Sequence, residues 1–295
     1  MPPASCTPSP LKPLRGIRIL SLALNIPGPM ALVRLAAMGA RCSKIEPPAG
    51  DPMRHYNQQA YDGMHAKVKV LQADLRTDVG QQLLERQLAH SDVLLTSFRP
   101  SGLARLGLAW KPLHRRHPAL CQVAIVGAHG ARAEEPGHDL TYMAENNQVT
   151  GLNLPPTLYA DMGGSLMASE AVLQVVLQLQ RSGKGVFVEV ALASASAYLG
   201  LPRTWGLTLP AGAVGGAHAG YRIYPCLDGR VAVAALEPHF AAALCQVAGV
   251  ADSSLTSMFA ATTHDAVARC FASRSCTELD ALRQSRDIPI HTLKD

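Results

Sequence analysis

The first two hundred residues alternate between two textures. Short stretches are apolar at nearly every position, as in GIRILSL from Gly16 to Leu22, SDVLLTSF from Ser91 to Phe98, and LCQVAIVGAHG, which ends in glycine-rich sequence. Such runs predict strands buried on both faces. Between them, apolar residues recur at helical spacing from Met30 to Met38, from Thr77 to Ala89 and from Ser165 to Gln180, with Gly39 placed to stop the first helix. The strand GIRILSL, the helix over 30–38 and a second strand at RCSKIEPP fit within about thirty residues, which predicts a right-handed crossover and a parallel strand pair. The stretch GKGVFVEVALASASAYLG adds another strand and helix. Repeated alternation of this kind predicts an α/β fold, Rossmann-like with a parallel sheet, whose ligands bind at the carboxyl ends of the strands.

The texture changes after Leu201. PRTWGLTLPAGAVGGAHAG is rich in glycine and proline, and beyond it YRIYPCLDGRVAVAAL reads as a hairpin turning at Asp228 and Gly229, followed by helices from Pro238 onward. The expected organisation is a flexible N-terminal arm over 1–14, a large domain over 15–200, a linker over 201–220 and a smaller α+β domain over 221–295.

Composition narrows the class of protein. The chain has 295 residues, 48% hydrophobic and 17% charged, enough to bury one large or two ordinary cores. A net charge of +5 is mild, and the Lys and Arg residues are scattered, which suits a small anionic ligand at least as well as nucleic acid, and no nucleic-acid partner is expected. The seven cysteines form no Cys-x-x-Cys pair and read as reduced, mostly buried residues of a cytoplasmic protein. The first fourteen residues carry five prolines and no apolar signal core. The apolar stretches near 166–179 and 186–201 are interrupted by Glu170 and Glu189 and fall short of the roughly 18–20 residues of a membrane span, so no membrane partner is expected.

Candidate chemistry gathers in two nearby segments, GHDLTYMAENN from Gly137 and YADMGGSLMASE from Tyr159. Each places ionisable side chains beside glycine. On the residues alone, His138 next to Asp139 reads first as a turn or cap residue, and Asp161 before Met162-Gly163-Gly164 reads first as a helix N-cap. The first strand–helix turn holds Pro27, Gly28 and Pro29 in place of G-x-G-x-x-G, which argues against a dinucleotide. His114 and His117 have H-x-x-H spacing, but two arginines stand between them and no Cys or acid lies nearby, so a helix end is expected and no metal.

Several motifs in order carry a resemblance over nearly the whole chain from Leu14. LRGIRILSLALNIPGPMALVRLAAMGARCSKIEPPAGD, LQADLRTDVGQQLLERQLAHSDVLLTSFRPSGLARLGL, PGHDLTYMA, YADMGGSLMAS, RSGKGVFVEVAL and YRIYPCLDGRVAVAALEPHF together resemble the class III CoA transferase (CaiB/BaiF) superfamily. Gly-His-Asp and Leu-Glu-Pro are closest to its α-methylacyl-CoA racemase branch. The resemblance implies the CoA transferase family III fold in an interlocked homodimer, and an acyl-CoA thioester as substrate, with no tightly bound cofactor. In the racemase branch it makes His138 and Asp161 the catalytic pair, with Glu237 reaching the histidine and Asp139 supporting it. In the transferase branch the residue matching Asp161 is a nucleophile that carries an aspartyl-CoA intermediate. A third possibility is a silent member that binds CoA esters without turnover. Arg99 matches a CoA-contacting arginine, with Arg105 and Lys69 as weaker matches, while Ser97 stands where asparagine is frequent and Pro47 where some racemases have arginine. The resemblance implies a further C-terminal segment that returns to the large domain, and since the sequence stops at IPIHTLKD, where that return would start, the segment is expected to be missing.

The racemase reaction makes its own demands. Inverting the α-carbon of a 2-methylacyl-CoA needs two acid/base groups on opposite faces of one carbon and a stabilised enolate. An imidazole and a partly desolvated carboxylate titrate in the useful range. Gly163 and Gly164 are expected to let backbone N–H groups approach the thioester oxygen at the start of the helix after Asp161.

Overall fold

A computed structural model describes residues 11–294 of the chain, in two compact units that divide between Gly200 and Leu201. The first unit runs β1 (Arg18–Ser21), α1 (Pro27–Ala37), β2 (Arg41–Glu46), α2 (Met53–Tyr56), α3 (Gln58–His65), β3 (Val68–Gln72), α4 (Asp78–Leu88) and β4 (Val93–Thr96). It continues with α5 (Pro100–Arg105), α6 (Trp110–Arg116), β5 (Cys121–Val126), α7 (Asp139–Glu145), α8 (Tyr159–Ser182), β6 (Phe187–Ala191) and α9 (Leu192–Leu199).

Its six strands form one parallel sheet in the order β3-β2-β1-β4-β5-β6. The pleat sends alternate residues to opposite faces, and both faces are covered. Ile19, Val93, Leu95, Val123 and Ile125 pack against α1 and α8, whereas Leu20, Leu22 and Leu94 pack against Leu84 and Leu88 of α4 and the leucines of α5 and α6. The chain leaves β1 toward β2 and leaves β4 toward β5, so a crevice opens where the strand order reverses, at the carboxyl ends of β1 and β4.

The second unit runs α10 (Leu201–Thr204), β7 (Tyr221–Cys226), β8 (Gly229–Ala234), α11 (Pro238–Ala248), α12 (Leu255–Met258), α13 (Ala261–Ala272), α14 (Cys276–Arg286) and β9 (Ile290–Lys294). Its antiparallel sheet, β7-β8-β9, packs on α11, α13 and α14 around Tyr224, Val231, Leu244, Val267, Phe271 and Ile290. The hairpin turns at Leu227–Asp228, one residue earlier than the sequence suggests, because Gly229 already pairs with Cys226 as the first residue of β8.

Several boundaries differ from the sequence expectation, each for a local reason. Leu14, the last residue of the expected arm, is buried and its N–H donates to the Met38 carbonyl, so packed structure reaches at least that far; residues 1–10 lie outside the described residues. The Gly- and Pro-rich stretch 201–220 contains a helical turn at Leu201–Thr204 and a 3-10 turn at Ala213–Gly215, and it delivers His218 and Ala219 into the buried part of the second unit. IHTLK near the end of the chain is the third strand of the small sheet, paired with β8. Helix α8 begins at Tyr159, six residues before the expected start, which brings Asp161 into its first turn. At 24 residues α8 has the length and apolar character of a membrane span, but half of that window is buried inside the unit, against α1, α9 and the sheet.

The early start of α8 places two glycines inside a helix, and packing explains them. A Cβ on Gly164 would lie 2.2 Å from Leu192 Cδ2, and one on Gly163 would lie 2.9 Å from Leu199 Cδ1. The missing side chains let α8 and α9 approach closely beside the crevice. Gly164→Val is expected to lower unfolding stability by about 1–3 kcal/mol through overpacking against Leu192, read from the urea midpoint at constant slope. An unchanged midpoint would show that α9 yields freely and that close approach is not the glycine's role.

Candidate active site

The crevice holds a cavity of about 240 Å³ lined from four directions. The loop after β1 supplies Leu24, Asn25 and Pro27; the end of β4 supplies Ser97, Phe98 and Arg99; the end of β5 supplies Gly127; and His138, Tyr142 and Asp161 come from α7 and α8. Two segments separated in sequence by more than twenty residues are thus brought to one cavity.

A single hydrogen bond sets their relation. The buried Asp139, at the first position of α7, accepts at Oδ1 from the Asp161 N–H at 3.0 Å, satisfying one of the unpaired donors in the first turn of α8. His138 is the N-cap of α7; its backbone N–H donates to Thr141 Oγ1 at 3.0 Å, and that hydroxyl donates to the His138 carbonyl at 2.7 Å. The turn that carries the imidazole is therefore held by its own helix. Partial burial and, secondarily, the Asp139 charge push the Asp161 carboxyl up to about 6. This occurs although Asp161 sits near a helix N-terminus, which favours the ionised form.

Tyr142, one turn beyond His138 on α7, is a site residue that sequence reasoning missed. A Cβ on Gly127 or Gly137 would lie 2.4 or 2.5 Å from its hydroxyl oxygen, so glycine at both positions makes room for the phenol in the cavity wall. The spacing His138 to Tyr142 within one helical turn was the available signal. Glu135, also at the wall, is held by Arg132 at 3.0 Å, and Arg132 clamps Glu145 at the end of α7 through two further bonds of 2.8 and 3.0 Å.

The loop after β1 is fixed by a buried ionic hub. Lys44 on β2 is fully buried, and its ammonium meets Asp51 Oδ2 at 2.5 Å, Glu46 Oε1 at 3.1 Å and His65 Nε2 at 3.0 Å. His65 Nδ1 lies 2.7 Å from the Tyr61 carbonyl, which can only accept, so the proton is on Nδ1 and Nε2 accepts from Lys44. Burial lowers the His65 pKa, consistent with a neutral ring. The Tyr61 hydroxyl donates to Glu46 at 2.8 Å and accepts from Arg54 at 2.6 Å. Two cations thus face two carboxylates, with no net charge left in the interior. Asp51 passes this rigidity to the cavity by accepting from the N–H of Asn25 at 3.1 and 3.2 Å and of Met53 at 2.9 Å. Asn25 is held at φ 64°, a left-handed conformation that asparagine tolerates better than most residues.

The remaining sequence candidates separate. Arg99 lines the cavity and Arg105 lines an adjoining groove that shares Phe98; both are exposed, and neither has an ion-pair partner among the described residues. Lys69 is an exposed residue of the edge strand β3 and lines neither. Glu237 belongs to the second unit, where it is exposed and stands at the N-cap position of α11 without a side-chain capping bond. The role expected of Gly163 and Gly164 is corrected. They stand beyond the first turn of α8, where backbone N–H groups are already bonded within the helix, so neither amide is free for a thioester oxygen. Pro27 and Pro29 likewise remove two N–H donors from the start of α1, which makes it a poor phosphate cradle.

Two variants test this geometry. Lys44→Met strands two buried carboxylates and is expected to cost about 3–5 kcal/mol in urea unfolding; a loss under about 1 kcal/mol would show that the hub is not what holds the interior. Asp161→Asn is expected to stabilise the protein by about 1–3 kcal/mol at neutral pH, because a carboxyl with a folded pKa raised to about 6 is strained while ionised. The wild type binds the extra proton as pH falls from about 6 toward 4, so the gap in Tm is full above pH 6 and closes across that window. A gap independent of pH would place the cause outside the titration of Asp161.

The sequence matches the CoA-transferase family III profile over residues 14–295. It is 34% identical over 200 residues to the succinyl-CoA–D-citramalate CoA-transferase of Chloroflexus aurantiacus, covering 62% of this chain and 50% of that protein. It is 30% identical over 245 residues to human alpha-methylacyl-CoA racemase, covering 77% of this chain and 62% of the racemase. Against the first of these and similar transferases, the chain spans about half the relative's length. The fold matches the crystal structure of hypothetical protein Rv3272 from Mycobacterium tuberculosis with a TM-score of 0.82 at 26% identity, over 96% of this chain and 84% of the other. With a six-stranded parallel sheet, a small antiparallel sheet and a profile match across nearly its whole length, the chain belongs to CoA-transferase family III.

Proposed function

We propose that this chain catalyses two-base proton transfer at the α-carbon of a 2-methylacyl-CoA thioester, with His138 and Asp161 as the bases. The observation that carries the reading is that an imidazole and a carboxyl raised to about 6 line one cavity at the strand-order reversal of the sheet. One group takes the α-proton, the C–H electron pair moves into a carbon–carbon double bond as the thioester oxygen becomes negative, and the other group returns a proton from the opposite face. A base that titrates near the working pH is both available and strong enough to act. Tyr142 brings a hydroxyl to the cavity wall, and Arg99 and Arg105 offer unpaired guanidinium groups to the phosphates of a CoA ester. Asp139 orients Asp161 through its backbone. Glu237 is assigned to His138 through the family resemblance, as a carboxylate contributed by a second copy of the chain.

A second reading, acyl transfer through a covalent aspartyl intermediate at Asp161, is favoured by the transferase names among the relatives and by the same open carboxyl. Incubating one enantiomer of a 2-methylacyl-CoA with the protein in heavy water, with no free carboxylic acid present, separates the two. Deuterium at the α-carbon with loss of enantiomeric purity is expected, falling at least about 100-fold with His138→Ala and with Asp161→Asn. Its rate should decline as pH drops below about 6, where Asp161 becomes protonated. Absence of exchange, together with CoA exchange into an added carboxylic acid that survives His138→Ala, would replace this reading with the second.

A further inference from the structure

Among the described residues, two clusters of metal-capable side chains lie outside the cavity wall, and they differ in one respect. Glu46, Asp51 and His65 already surround a cation, the Lys44 ammonium. Cys226, Asp228 and Cys276, in the second unit, surround none: no ion pair reaches Asp228 among the described residues, and Lys294, paired with Gly229 across β8 and β9, acts on it only from a distance.

The backbone around this second cluster is tightly fixed. Cys226 ends β7, Leu227 and Asp228 make the hairpin turn, and Cys276 is the first residue of the eleven-residue helix α14. The Asp228 Oδ1 atom accepts from the Cys276 N–H at 2.6 Å, and the Leu227 N–H donates to the Arg274 carbonyl at 2.9 Å, so the turn is bonded to the chain on both sides of the helix start. Gly229 lies beneath Cys276, whose sulfur is 3.3 Å from where a Cβ would stand. The two sulfurs are 3.6 Å apart, and a carboxylate oxygen of Asp228 is within 4.8 Å of both. Two sulfurs bound tetrahedrally to one zinc-type ion at about 2.3 Å would be about 3.8 Å apart. The Cys276 thiol also lies 3.9 Å from the Asp228 carbonyl, as Cys42, Cys121, Cys245 and Cys270 lie near backbone carbonyls or Met258, but among the described residues only Cys226 and Cys276 bring two sulfurs and a carboxylate together.

We propose that Cys226, Cys276 and Asp228 form a binding site for one thiophilic divalent cation of the zinc type, independent of the acyl-CoA chemistry. Binding converts two thiols into metal-bound thiolates and releases both protons to solvent, with the carboxylate as third ligand and water completing the shell; no oxidant is consumed. The Asp228–Cys276 N–H bond is the supporting contact that orients the carboxylate ligand.

Co²⁺ added to the reduced full-length chain is the probe. One equivalent should produce an intense sulfur-to-cobalt charge-transfer band that Zn²⁺ displaces. The band should disappear with Cys226→Ser and with Cys276→Ser, persist with Cys42→Ser, and need at least tenfold more Co²⁺ with Asp228→Ala. If the serine variants fail to fold, protection of wild-type thiols from alkylation by Zn²⁺ gives the same answer by mass, and Cys226 and Cys276 should be the two protected residues. No charge-transfer band at tenfold excess Co²⁺, protection of other cysteines, or a Cys226–Cys276 disulfide in protein isolated without oxidant would each overturn the proposal.

Discussion

The hydrogen bond from the Asp161 amide to the Asp139 carboxylate is the contact on which the candidate site depends. It ties the first residue of α7 to the first turn of α8, and so fixes the residue after His138 relative to Asp161. The same carboxylate, nearly excluded from water, adds its charge to the effect of burial on Asp161. One contact therefore joins position to electrostatics: it holds the start of α8 against the start of α7 and sets the Asp139 charge beside an Asp161 carboxyl already raised by burial. An Asp161 destabilised in its charged form is a local stability cost, of the kind that accompanies function more often than packing.

The rest of the wall is built to be stiff. Asn25 hangs from Asp51, Asp51 from Lys44, and Lys44 from Glu46 and His65, a chain of contacts in which every buried charge has a partner. Buried ion networks of this sort contribute little net stability compared with apolar packing, but they allow few alternative arrangements. On the opposite side, Arg132 bridges Glu135 to Glu145, and Gly127 and Gly137 leave space for the Tyr142 ring. The cavity is thus framed by polar contacts around its rim and by close helix packing beneath it, where α9 lies against the glycines of α8.

The sequence made the parallel α/β sheet legible because strands buried on both faces leave uninterrupted apolar runs, as at Ile19–Leu22 and Val93–Leu95. It was less informative where the pattern is short or polar. β3, on a sheet edge, carries Lys69 and follows Lys67, and β9 pairs only through contacts distant in sequence. His138 and Asp161 were legible as candidates because glycine and charge coincide at chain breaks. Gly163 and Gly164 were misassigned because a glycine that makes room for a neighbouring helix has the same local signature as one that frees an amide. Lys44 and Glu46, two residues apart, share one face of a strand, but nothing in the spacing reveals that their charges are compensated by Asp51 and Arg54, with a neutral His65 accepting from Lys44.

The central claim is that Asp161 is held near neutrality by burial together with Asp139, and the most direct measurement is a titration of its side-chain carbonyl by ¹³C NMR, assigned by difference with Asp161→Asn. The account predicts a midpoint close to 6 that falls when Asp139 is replaced by asparagine, since the hydrogen-bond acceptor is kept and the charge removed. A midpoint near 4 in the wild type, or one that does not move in the Asp139→Asn protein, would contradict it.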